Sequence, residues 1–180
     1  MRCFITLIGV TLGLFVAGCS SVSVTADFDP ATDFSTFKTY QWMPSKGEDI
    51  LTKNAIIGKR VTGTVDKVLA SKGYRVAATN APDFYITAHA GVKDKMNVSD
   101  YGYAYGGWWG PYGPYGRNVD VQYYQEATLF IDIVQRHGEN LELVWRGAGT
   151  DVVKDRDPDE AQRYVDAAVE KILAQFPPER

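Results

Sequence analysis

The sequence predicts an α+β fold, an antiparallel sheet of about five strands with two amphipathic helices packed on one face. Three observations lead there. Five segments alternate or run apolar as strands do, and two others repeat apolar residues at three-and-four spacing. The last two strand segments are separated only by residues 136–140, a connection short enough for a hairpin.

The first strand is "VSVTADF", with Val22, Val24, Ala26 and Phe28 alternating against polar residues. A turn rich in Asp, Pro and Ser follows, and "FKTYQWMP" is a second strand stopped by Pro44. From about Thr52 to Lys72, Ile57, Val61, Val65, Val68 and Leu69 share one helical face, which Gly73 closes as a left-handed cap. Residues 83–91, "DFYITAHAG", form the third strand, and residues 121–135 a long fourth one with a bend or bulge expected near Glu126. "LELVWRGAGT", residues 141–150, is the fifth. Pairing the last two as a hairpin puts Leu129, Ile131 and Ile133 on one buried face with Leu141, Leu143 and Trp145. Asp132 and Arg146 then share the opposite face, and against a catalytic acid–base pair the sequence favours a cross-strand ion pair on the solvent face, worth well under about 1 kcal/mol if exposed. The final helix keeps its apolar spacing from Ala161 to Phe176 and is ended by "FPP". Asp157 is its N-cap, Pro158 its first residue and Glu160 the capping-box partner. That reading of "KDRDPDEAQ" outweighs a calcium loop, because Glu160 stands where such a loop needs Gly and Pro158 intrudes.

The N-terminus carries an address. Arg2, an apolar run from Cys3 to Val16 and the small residues Ala17 and Gly18 make residues 1–18 a secretory signal, too short to be a permanent span. "VAGC" at 16–19 resembles the bacterial lipobox, which implies cleavage before Cys19 and lipid on its thiol. Several acyl chains at about 0.8 kcal/mol per buried CH₂ anchor firmly. Ser20, instead of Asp, implies sorting to the outer membrane on its periplasmic face. Residues 19–180 are then a single domain held close to the membrane by a very short linker. With Cys3 removed and Cys19 lipidated, it has no disulfide to stabilise it. Loss of Arg2 moves the formal charge from −3 to −4, and that mild acidity speaks against a nucleic-acid partner.

The blocks "DFDPATDFSTFKTYQWMP", "SKGYR", "APDFYITAH", "EATLFIDIV", "LVWRGAG" and "FPP" together resemble a bacterial lipoprotein family catalogued as domain of unknown function 4136. The resemblance covers nearly the whole mature chain and implies the envelope location and the α+β fold, without an activity. Ala127 stands where a Gly is expected in that family.

No reaction is written in the chain. It has no nucleophile elbow, no phosphate-cradling glycine motif and no paired metal-binding histidines, so no cofactor and no catalytic residue is expected. His89, on a strand, and His137, in a turn, read as surface side chains. The unusual segment is residues 93–118, a long aromatic and Gly-rich loop between the third and fourth strands with almost no aliphatic side chain. Tyr101, Tyr103, Tyr105, Trp108, Trp109, Tyr112 and Tyr115 are its candidate binding residues. Low-complexity disorder is the bland alternative. Rings with little charge around them suit sugar faces, protein docking or the bilayer interface. Two functional classes remain, a lipid-anchored binding or scaffolding module of the envelope, which the sequence favours, and an envelope enzyme whose site is not visible in sequence. For the module, cell-wall glycan, an envelope protein and the membrane are the candidate partners.

Overall fold

The computed structural model describes residues 22–44, 49–79, 81–100 and 119–179. The chain runs β1 (Ser23–Phe28), a short 3-10 helix (Phe34–Thr36), β2 (Thr39–Trp42), α1 (Ile50–Lys53), α2 (Ala55–Ser71), β3 (Arg75–Val76), β4 (Phe84–Asp100), β5 (Val119–His137), β6 (Asn140–Val152) and α3 (Pro158–Leu173). The α+β class holds, but the sheet has six strands in the order β1-β6-β5-β4-β2-β3 and is mixed. β2 lies parallel to both β3 and β4, while the other pairs are antiparallel. The parallel pairing follows from the connection. α1 and α2 carry the chain back after β2, so both β3 and β4 start from the end where β2 started.

Both long helices cover one face of the sheet. Val61, Val65 and Leu69 of α2 and Val169, Ile172 and Leu173 of α3 are buried with Ile86, Ile131, Ile133 and Trp145. The first helix is broken in two. Asp49 caps α1 through Leu51 and Thr52 N–H, Asn54 caps α2 through Ile56 and Ile57 N–H, and the helical region begins at Ile50. Its end is as expected, with Gly73 at φ +91° and Tyr74 N–H donating to Leu69 O at 3.0 Å. Asp66 ties α2 to the sheet by accepting from Tyr40 Oη and Trp42 Nε1, both at 2.8 Å. Asp157 caps α3, accepting from Glu160 N–H at 2.8 Å, and Phe176, just past the helix, is fully buried.

At the end of the sheet where β4 begins, the core is aromatic. Phe84 stacks on Phe37 and Tyr40, and Phe176 contacts Phe34, Tyr74, Phe84 and Trp145 with ring centroids 5.2–5.9 Å apart. Every described strand, helix and core side chain lies between Val22 and Phe176, so a chain begun after residue 19 contains the whole described fold.

Two expectations about the strands are corrected. The irregularity in the β5–β6 ladder falls opposite Ile133 and Val134, where β6 carries the extra residue Val144, and not near Glu126 of β5. There Val144 and Trp145 are both buried while Leu143 and Leu141 turn out, 47% and 44% exposed. A bulge shifts the alternation by one residue, so the leucines sit on the face opposite Trp145. The second correction concerns the segment 93–118. Its first eight residues continue β4 and pair with β5 up to Asp100↔Val119, so the connection itself is residues 101–118. Asp94–Asp100 and Val119–Gln125 pair only with each other, apart from one bond from Val153 N–H to Gln125 O, and form a two-stranded arm beyond the six-stranded body.

Candidate functional site

Cys19, residues 1–18 and the seven rings of residues 101–115 lie outside the described residues. The described chain fixes where the segments holding them attach. Ser23 pairs with Thr150, Thr150 with Thr128, and Thr128 with Gly91, so one row across the sheet contains the start of β1 and the root of the arm. From Gly91 in that row to Asp100 at the end of the arm, β4 rises nine residues, about 30 Å. Midway along it, Met96 and Tyr123 face each other across the strands, 57% and 78% exposed. Lys95 with Glu126 at 3.4 Å, and Gln125 donating to Asp94 at 2.9 Å, hold the polar side chains of the root.

The open face of the sheet carries a polar cluster. Arg146 donates Nε–H to Asp132 Oδ1 at 2.7 Å and an Nη2 proton to Oδ2 at 2.6 Å, a bidentate pair. Hydrogen bonding to Asp132 outweighs partial burial and holds the guanidinium above its ordinary pKa. His89 stacks on Phe130 with centroids 4.9 Å apart and brings Nδ1 within 3.9 Å of Asp132 Oδ2. The exposed ion pair expected here is therefore corrected, since Asp132 is buried. Its strand neighbours on that face are large, with Val134 two residues on and Tyr85 opposite Val134. His89 is half-buried, while His137 is exposed. A concavity of about 350 Å³, bounded by Met43, Pro44, Leu141 and Leu143, opens over the cluster. Both carboxylate oxygens of Asp132 accept from Arg146, so the pair acts as a cross-strand clamp between β5 and β6. Among the described residues no three His, Cys, Asp or Glu side chains converge as a metal site.

A second cavity, also of about 350 Å³, lies on the helix side between α2, α3 and the sheet. The sequence reading missed it. Ile57, Val61, Leu129 and Val165 line it together with the small residues Ala90 and Ala168. On its flank Arg156 lies 3.8 Å over the Tyr164 ring and 3.9 Å from the buried Asp151 carboxylate. Burial, then the nearby Asp151 carboxylate, push the Tyr164 hydroxyl up to about 12. The signal in the sequence is a taper. Along the helix-side face β4 reads Phe84, Ile86, Ala88, Ala90, and β6 reads Trp145, Gly147, Gly149, so the side chains shrink toward the arm.

No curated protein matches the chain. Among solved structures it is similar to a PDZ domain protein from Parabacteroides distasonis, at 13% identity and a TM-score of 0.55 over 88% of this chain. The match takes in 37% of that protein, so this chain corresponds to little more than a third of it. Two crystal forms of the PelC dodecamer from Paraburkholderia phytofirmans are similar at 13% identity and a TM-score of 0.46, over 88% of this chain and 99% of PelC. At such identities the first likeness speaks to the fold alone. The family described as "Domain of unknown function (DUF4136)" matches residues 24–178, from β1 to beyond α3, and the chain belongs to that family.

Proposed function

We propose that this protein is a lipoprotein of the outer membrane, anchored through Cys19 on the periplasmic side, and that it works as a binding module whose binding element is the aromatic segment at the end of the β4–β5 arm. The observation that carries this reading is the shared end of the sheet. The chain leading back to Cys19 leaves from the same row as the arm, and the two reaches differ. Four residues from Ser23 to Cys19 span at most about 14 Å, against about 30 Å from the same row to the end of the arm. A domain tethered that closely cannot stand an arm of this length upright in the gap below it. The arm lies across the bilayer surface or enters it, and delivers Tyr101, Tyr103, Tyr105, Trp108, Trp109, Tyr112 and Tyr115 to the headgroup layer, where Trp and Tyr are favoured. The exposed Met96–Tyr123 pair extends an apolar surface down the arm.

Two changes test the reading. Cys19→Ala should abolish fatty-acid labelling and move the protein out of the outer-membrane fraction. Replacing residues 101–116 by a short Gly-Ser turn in a chain begun at residue 20 should leave the melting temperature unchanged and remove co-sedimentation with liposomes. Equal labelling of wild type and Cys19→Ala would defeat the anchoring, and undiminished liposome binding would defeat the role of the arm. Capture of purified peptidoglycan or of an envelope protein by the arm, without liposome binding, would replace the bilayer as partner.

A further inference from the structure

We propose that the cavity between α2, α3 and the sheet is a binding site for a single-chain lipid with an anionic head, its acyl chain inside and its head against Arg60 and Lys154. The site depends on neither the lipidation of Cys19 nor the aromatic segment.

The taper of the core makes the space. Near the start of β4 the gap between helices and sheet is filled by Phe84, Trp145 and Phe176. Toward the arm the same gap is faced by Ala90, Ala127 and Gly149 from the sheet and Ala161 and Ala168 from α3, and these side chains are too short to close it. The volume of about 350 Å³ is at the lower end of small-molecule sites. Inside, the walls are mostly aliphatic, and the hydroxyls of Thr128 and Tyr164 are bonded to Thr150 and Asp151, so a polar solute would lose its water with little to replace it.

The charged groups stand at the edge. Arg60, Lys154, Asp155 and Arg156 border the cavity, three cations against one carboxylate. Arg156 is turned to Asp151 and the Tyr164 ring, which leaves Arg60 and Lys154 as the cations to meet a head group. Val92 and Val153, 41% and 43% exposed, form an apolar lip at the mouth. Aliphatic walls below a positive rim are complementary to an amphiphile with one apolar chain and a negative head, the chemistry of a long-chain fatty acid. A neutral hydrocarbon would make no use of the rim.

The test uses a delipidated chain begun at residue 20, titrated with the fluorescent fatty acid cis-parinaric acid and competed with saturated acids of increasing length and with hexadecanol. One saturable site is expected. Competitor affinity should rise about fourfold per added methylene until the cavity is full and then level off. Hexadecanol should bind at least about tenfold more weakly than palmitate, and Arg60→Ala with Lys154→Ala should bring palmitate down to the level of hexadecanol. Ala161→Trp should fill the cavity and abolish binding with normal circular dichroism. If Ala161→Trp does not fold, the rim variants decide alone, since their side chains lie at the edge of the cavity. Absence of saturable binding, or binding indifferent to both the rim and Ala161→Trp, overturns the site. Equal affinity for palmitate and hexadecanol overturns the anionic head. The acylated protein from membranes should take up the probe as the delipidated chain does; if it does not, the cavity holds the anchor's own acyl chain and the free-lipid assignment falls.

Discussion

Removing the charge of Arg146 while keeping its apolar stem, as in Arg146→Met, isolates the value of the clamp on the open face. The loss of a partner from a fully buried ion pair costs about 3–5 kcal/mol, because the remaining charge is stranded. Here the Asp132 side chain is 7% exposed but that of Arg146 is 43% exposed, so water already reaches one partner. The penalty belongs to the carboxylate, whose nearest remaining cationic candidate is His89 at 3.9 Å. Discounting for the solvated side gives about 2–4 kcal/mol for Arg146→Met. Asp132→Leu strands only the half-exposed guanidinium and should cost less, about 1–2 kcal/mol. The double variant should lie within about 1 kcal/mol of wild type, because an apolar pair can replace a buried ionic one with little loss. Urea unfolding followed by tryptophan fluorescence, run as a double-mutant cycle, reads these values directly. Single variants within about 0.5 kcal/mol of wild type, with an additive double, would refute the buried clamp and restore an ordinary surface pair.

Three further outcomes follow from the same geometry. Trp145→Ala should cost about 3–5 kcal/mol, whereas Trp145→Phe should cost less than half of that, because the indole Nε1 has no hydrogen-bond partner among the described residues; thermal melts of both variants compare them. Gly147→Ala should destabilise by about 1–3 kcal/mol, since an added Cβ would sit 2.5 Å from Ile172 Cγ2, while Gly91→Ala, with nothing within 4 Å, should be neutral; equal melting temperatures for the two would count against the close packing of α3 on β6. Asp83 accepts from Thr39 N–H, Thr39 Oγ1 and Lys38 N–H, and although burial acts to raise its pKa these bonds hold it below the ordinary carboxylate value. A folded-state pKa below the unfolded one gives stability that is present above about pH 4 and is lost as the pH falls through the folded value; the stability gap between wild type and Asp83→Asn should therefore narrow as acid is added, and a constant gap would remove Asp83 from the acid response.

The parts of the fold that could be read in the sequence are those whose signal is local. The α3 face and its Asp157 cap, the end of α2 at Gly73, and the burial of Trp145 all rest on spacing within a few residues. What could not be read depends on partners distant in the chain. The parallel pairing of the four-residue β2 is set by where the chain re-enters after α2, and alternation does not report direction. The bulge at Val144, opposite Ile133 and Val134, moves Leu141 and Leu143 to the open face by a one-residue slip, and hydrophobicity alone assigns both leucines to the core. Residues 93–100 read as loop because Met96 and Val98 are their only apolar residues, set among charged and polar ones and next to the Gly-rich segment, too short an alternation to mark a strand. For the candidate sites, Asp132 and Arg146 were legible as a pair but not as a buried one. The cavity was written only as small residues on three separate strands and a helix, which become neighbours through the register.

The placement of β1 has a mechanical consequence. The strand lies along one edge of the sheet, joined to β6 by six consecutive pairs from Ser23↔Thr150 to Phe28↔Trp145, and Val22 is buried just before it. A pull on the segment before Val22, directed along the strand, loads the β1–β6 ladder in shear, so that its hydrogen bonds must fail together. The same number of bonds loaded crosswise would open one after another, like a zip. Val22 Cγ1 also lies 3.2 Å from where a Cβ on Gly149 would stand, beside Ile172, so the first residue to move would have to leave a packed site before the ladder felt the load. A pull applied at the start of β1 and along the strand thus meets all six pairs of the ladder together.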